Sequence, residues 1–171
     1  MKRWIRRFPW RSSERAATTA IPVTSPAGAQ SAPPEVEHAN DRDVGVPSLA
    51  LDLAATPAAV PLVRHRVMAF AGENGANLEV QSRIGAAVTE AVANAVIHAY
   101  PDGEGAVTCD CDVEQRMLEI VVADRGDGFR PGDSPGLGIG LAIIAGCSDH
   151  FWIHQGGEDP GVSVWMRFAL D

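Results

Sequence analysis

The chain has 171 residues, enough for one ordinary domain with some length to spare. Its hydrophobic share of 46% suffices for a globular core. No apolar run reaches the roughly eighteen residues of a membrane-spanning helix, so no transmembrane segment is expected. The net charge of −8 is unevenly spread. Residues 1–15 hold six basic groups (Lys2, Arg3, Arg6, Arg7, Arg11, Arg15) against Glu14, a net +5. The rest holds 8 basic and 21 acidic residues, a net −13. So acidic a globular part argues against direct nucleic-acid binding and suits docking onto a basic protein surface, although acidity also serves solubility. Three cysteines (Cys109, Cys111, Cys147) make no even disulfide set. Cys109 and Cys111 alternate with Asp110 and Asp112, which points both thiols to one face of a strand as small core residues and suits a reducing cytoplasm.

In chain order, residues 1–46 read as a disordered or flexible extension. A basic, Trp-bearing start leads into a run rich in Ala, Thr, Ser and Pro, without apolar period or bulk for a core. Arg and Trp there are either an anchor to a membrane surface or partner, or part of a solvated tail. The globular part is expected over 47–171. SLALDLA alternates and reads as a strand; Thr56-Pro57 reads as an N-cap with Pro at the first helical position. Val60, Val63, Val67 and Phe70 then recur at helical spacing, with Gly72 and Gly75 as stops. Residues 78–99 form the longest periodic segment, with Ile84, Val88, Ala91, Ala95 and His98 along one stripe and Ala-rich composition. PDGEG breaks the chain. AVTCDCDVE and RMLEIVVAD read as a hairpin turning at Glu114-Gln115. A Gly/Pro-rich loop, the short helix GIGLAIIAGCSD, and two last strands, FWIHQ and VSVWMRFAL, complete the order. Hairpin-paired strands with helices between them predict an α+β fold: a two-layer α/β sandwich with a mixed, mostly antiparallel sheet and helices on one face.

Three patches carry chemistry. In TEAVANAVIHAY, Glu90 and Asn94 are four apart and project from one helical face. A carboxylate there can take a hydroxyl proton, and an amide oxygen one turn on can ligate a hard cation such as magnesium. Taken alone, the pair is equally a polar helix face. In ADRGDGF, Asp124 ends an apolar strand, where it can accept a hydrogen bond from an exocyclic amine. Gly126 and Gly128 clear space for close approach, although Asp-Gly is also ordinary turn chemistry. In GLGIGLAII, Gly136, Gly138 and Gly140 lead into a helix whose N-terminal amides suit phosphate. No Walker A loop is present, since the only lysine is Lys2.

Taken together and in this order, the patches resemble the Bergerat-type ATPases, which include gyrase, the MutL proteins and histidine kinases. TEAVANAVIHAY is similar to their N box, DRGDG to the first glycine box and GLGIGL to the second. Gly161-Val162-Ser163 resembles the entry into their last strand, with Ser163 at the threonine position. EA-x-x-N-A-x-x-HAY followed by PDGEG is closer still to the anti-sigma serine kinases of bacterial partner-switching systems. The resemblance covers about residues 47–170. It implies the Bergerat ATP-binding fold, ATP and Mg2+ as cofactors, and serine/threonine kinase activity. It implies Glu90 as general base, Asn94 as magnesium ligand and Asp124 as adenine contact. Gly126, Gly128, Gly136, Gly138 and Gly140 become lid and phosphate-loop glycines, and Ser163 a further nucleotide contact. The implied partners are a sigma factor and a STAS-domain anti-anti-sigma protein, with a homodimer left open.

One departure stands out. Several such kinases carry an Arg just before the second glycine box, near the γ-phosphate; Ser134 occupies that place here, and Arg125 or Arg130 would have to reach in from the lid. That leaves as the alternative an ATP-holding anti-sigma module without phosphotransfer. A histidine-kinase fragment fits less well, because no helix pair with a phospho-accepting His precedes residue 47.

Overall fold

Among the described residues eight elements follow one another: β1 (Ser48–Ala54), α1 (Ala59–Glu73), α2 (Leu78–His98), β2 (Ala106–Glu114), β3 (Met117–Asp124), α3 (Leu137–Cys147), β4 (His150–Gln155) and β5 (Val162–Ala169). The computed structural model describes residues 46–101, 104–126, 137–155 and 161–170. Residues 1–45, with the basic start and the Ala/Pro-rich run, lie outside the described residues.

α1 starts later than its cap residues suggest. The helix begins at Ala59, its cap residue Ala58 makes no side-chain bond, and the Thr56 carbonyl instead accepts the Ala59 N–H at 2.9 Å. Pro61 explains the shift. In a helix starting at Pro57, residue 61 would owe an N–H to the first carbonyl; starting at Ala59 puts Pro61 in the first turn, where amides have no intrahelical partner. α2 obeys its pattern. Asn77 caps it by accepting the Val80 N–H at 2.9 Å, and Ile84, Val88, Ala91 and Ala95 are all buried.

The hairpin turns one residue later than the residue pattern suggests. Glu114 pairs with Met117, so the turn is Gln115-Arg116, with φ of +50° and +63°, and β3 begins at Met117. A two-residue turn with both φ positive matches the twist of the flanking strands, here without the usual Asn or Gly.

The strand order is β1-β2-β3-β5-β4, and each neighbouring pair is antiparallel. The sheet is therefore wholly antiparallel rather than mixed. β3 and β4, joined through α3, run in the same direction, but β5 returns between them and pairs with both. Alternate residues of every strand enter one core with the helices: Leu51, Cys109, Ile120, Val164 and Ile153 on the sheet side, Val67, Ile84, Val88 and Ile144 on the helix side. Both central-strand thiols are buried, as their alternation with aspartates requires. Arg83 of α2 ties the far end of α3 in place. Its Nε donates to the Cys147 carbonyl at 2.9 Å and its guanidinium meets Asp149 at 2.6 Å, while Asp149 also accepts the Ala169 N–H at 2.7 Å. This clamp orients α3 so that its N-terminal turn faces the second half of α2.

Candidate functional site

A cleft opens where α2 crosses β3 and β5. It is lined by Ala91, Asn94, Ala95, His98 and Ala99 from α2 and the residue after it, by Val122 and Asp124, and by Val162 and Val164. Three alanines on the helix side leave space that larger side chains would fill. Gly140 of α3 closes the upper edge. A Cβ built there would lie 2.9 Å from Glu90 Oε2 and 3.5 Å from both Asn94 side-chain polar atoms. The glycine thus allows the first turn of α3 to sit directly over the Glu90–Asn94 pair. Asn94 Nδ2 is buried and makes no hydrogen bond to the described residues. A buried amide donor without a partner costs about 1–3 kcal/mol, and here it faces a cleft that a polar ligand can enter.

Asp124 stands at the opposite wall. Its Oδ1 accepts the Gly126 N–H at 2.9 Å and the Val162 N–H at 3.3 Å, which fixes the carboxylate and leaves Oδ2 without a described partner of its own. Burial pushes its carboxyl above the usual carboxylate range, while the two N–H donors pull in the other direction. Two glycines allow this packing. A side chain on Gly126 would collide with the Ala99 carbonyl at the end of α2. Gly161, at φ +122°, would bring one into the Asp124 carbonyl.

A family profile described as the histidine kinase-like ATPase domain matches residues 53–168. The chain belongs to this family. The anti-sigma F factor of Clostridium acetobutylicum is 43% identical over 121 residues, covering 63% of this chain and 84% of that protein. The serine-protein kinase RsbW of Listeria innocua is 33% identical over 135 residues, covering 69% of this chain and 84% of that one. Several other relatives, such as the serine-protein kinase RsbW of Oceanobacillus iheyensis, are spanned over about half their length (51%). Among solved structures, that of the RsbU and RsbW domains of Rv1364c from Mycobacterium tuberculosis superposes with a TM-score of 0.60 at 25% identity, over 72% of this chain and 32% of that chain.

Within this ATPase domain, the fold gathers Glu90, Asn94, Asp124, Gly126 and Gly140 around one cleft. Gly138 is exposed, with nothing near where a Cβ would be. Gly128 and Gly136 lie outside the described residues, as do Arg130 and Ser134. Ser163 is not brought to the cleft. Val162 and Val164 line it, so strand alternation turns Ser163 to the opposite face, beside Ala123 and His154. The residue that enters from this strand is Val162, which touches Asp124 through its backbone N–H. Counting parity along VSVWMRFAL from the core residue Phe168 would have identified it.

Tyr100 is a second residue that motif reasoning passed over. Its hydroxyl donates to the Ala106 carbonyl at 2.7 Å and accepts the Arg125 N–H at 2.8 Å, and its ring covers Gly105. It thereby pins the chain just after Asp124 to the start of β2. No local pattern announces such a role, because both partners are backbone groups and one of them lies 25 residues on.

The residues present fit a nucleotide and a hard cation. Val122, Val162 and Val164 offer an apolar wall for a base, with Asp124 as an acceptor at its edge. The buried Asn94 Nδ2–H can donate to a ligand oxygen, and the Oδ1 of the same amide is the atom that would ligate a cation. Among the described residues no group of three His, Cys, Asp or Glu could hold a metal by itself. A cation here would therefore take Asn94 together with phosphate oxygens, as magnesium commonly does.

Proposed function

We propose that this protein is an ATP-dependent serine protein kinase and anti-sigma factor of a bacterial partner-switching system, acting in the cytoplasm. The observation that carries this reading is the meeting of Glu90, the unpartnered Asn94 amide and the Gly140 turn on one side of a cleft, with Asp124 across it. The names of the relatives support the same class: anti-sigma F factor and serine-protein kinase RsbW. The proposed partners are a sigma factor and a STAS-domain anti-anti-sigma protein, and a homodimer belongs to the same reading. Among the described residues, no helix is long and apolar enough to cross a membrane.

In this mechanism Asp124 accepts a hydrogen bond from the adenine amine while Val122, Val162 and Val164 cover the base. Asn94 would hold magnesium, which would supply neutralising charge to the phosphates. The first turn of α3 directs backbone amides toward the phosphates. Glu90 takes the proton of the partner serine as its oxygen bonds to the γ-phosphorus and the bond to the β-phosphate oxygen breaks, releasing ADP. Positioning and charge neutralisation carry most of such a transfer.

The test is transfer of labelled γ-phosphate to candidate STAS proteins. Label on a partner serine is the expected result. ATP binding without transfer to any cognate STAS protein would replace this reading with that of an ATP-holding switch module, the outcome that Ser134 at the arginine position favours.

A further inference from the structure

All three helices pack on one face of the sheet, and among the described residues no element covers the other. That open face is divided by charge. Its β1–β3 half carries Asp52, Asp110, Asp112, Glu114 and Glu119, brought side by side by the registers Ala50↔Asp110, Ser48↔Asp112 and Asp112↔Glu119. Its β5–β4 half carries Trp165 opposite Trp152, with His150 stacked on Trp152 at 6.1 Å. Arg167 lies between the halves, bonded to Glu119 at 2.7 Å and 5.4 Å from the Trp152 ring centroid. Burial together with neighbouring carboxylates raises the acid groups of both Asp110 and Asp112 above their ordinary range.

The complement of this face is in the same chain. Residues 1–15 are a net +5 and hold Trp4, Phe8 and Trp10 among their arginines. The four tryptophans of the chain are divided between that segment and the open face: Trp4 and Trp10 on one, Trp152 and Trp165 on the other. We propose that residues 1–15 dock in cis on the open sheet face, their basic groups against Asp52, Asp110, Asp112 and Glu119 and their aromatic rings against Trp152 and Trp165. Reach allows it. The chain enters β1 at Ser48, directly opposite Asp112, at the acidic half. A flexible linker of thirty residues, the length of 16–45, reaches about 30 Å end to end. Five strands are only about 19 Å across at ~4.8 Å spacing. A second copy is a poorer occupant, because its described open face carries the same excess of acidic groups, whereas residues 1–15 are net basic. The inference stands apart from the nucleotide cleft, which lies on the other side of the sheet.

The experiment places a photo-reactive benzoylphenylalanine at Phe8 of the full chain and maps the cross-links by mass spectrometry. Intrachain cross-links to β2, β3, β4 or β5 are expected at low salt. They should be largely lost at about 0.5 M salt, where the screening length shrinks to a few ångströms. Combined Arg3→Glu, Arg6→Glu and Arg7→Glu should abolish them too, while an unchanged far-UV circular dichroism spectrum shows the fold retained. Asp110→Asn with Asp112→Asn should weaken them. Cross-links to α1 or α2, yields indifferent to tail charge, or no cross-link at low salt would overturn the proposal. So would cross-links only between chains, rising with concentration. A tail that binds phosphatidylglycerol vesicles but never labels its own strands would assign it to a membrane, and overturns it as well.

Discussion

The two faces of the single sheet follow opposite rules although the same strands build both. On the helix side the apolar strand residues are Leu, Val, Cys, Ile, Met and Phe, buried or partly buried, and a carboxylate among them, Asp124, is held by two backbone N–H groups at the cleft. On the open side, the same strands carry five carboxylates and two tryptophans, with the Arg167–Glu119 ion pair joining β5 to β3. The difference teaches where a polar group does chemistry. A buried acid persists only where donors fix it, and that fixation prepares it to meet a ligand. A set of acids on a solvated face needs no such support and acts through its summed field.

The sharpest break of this comparison is at the cleft. Glu90→Ala should leave ATP binding intact and slow transfer by about 10²–10⁴-fold, the usual worth of a general base. Asn94→Ala should remove magnesium-dependent ATP binding, read by equilibrium dialysis with and without the metal. Wild-type transfer by Glu90→Ala would show that the acid at the cleft is not the base.

Next come changes that weigh the two faces by stability. Ile84 is fully buried, and Ile84→Ala should cost about 2–5 kcal/mol in urea unfolding. Asp110→Asn on the open side should change stability by no more than about 0.5 kcal/mol, in the stabilising direction. The sign follows from its raised acid group: the folded state disfavours the charged form, so this penalty is present at neutral pH and fades as pH falls through the folded pKa.

Tyr100→Phe keeps the ring and removes both hydroxyl bonds, for a loss of about 1–3 kcal/mol. Because one of those bonds holds the residue after Asp124, KM for ATP should rise more than kcat falls.

Asp124 offers a subtler probe. A ligand amine favours the ionised carboxylate, whereas burial raises the empty site's carboxyl. Nucleotide affinity should therefore weaken as pH falls through that raised value, with fractional proton release on binding, read by calorimetry in buffers of different ionisation enthalpy.

A small effect is also expected at Asp149. Burial opposes its charge, but the Ala169 N–H and Arg83 outweigh this and hold its carboxyl below the ordinary range. Its contribution is present above the unfolded value and lost as pH falls through the lower folded one. The Arg83–Asp149 pair is about a third exposed, so Asp149→Asn should cost about 0–1 kcal/mol.

Periodicity and chemistry local to one element were legible without coordinates. The α2 stripe, the strand spans at SLALDLA and AVTCDCDVE, the alternation that buries Cys109 and Cys111, and the presence of Glu90, Asn94 and Asp124 each depend on neighbours within a few residues. What tertiary structure alone decided depends on groups remote in the chain. It set β5 between β3 and β4, making the sheet wholly antiparallel, and faced Val162 rather than Ser163 into the cleft. It placed Gly126 against the Ala99 carbonyl and Tyr100 between Ala106 and Arg125. A side chain's period can be counted along its own element, but which backbone comes to meet it is determined only when the separate elements pack.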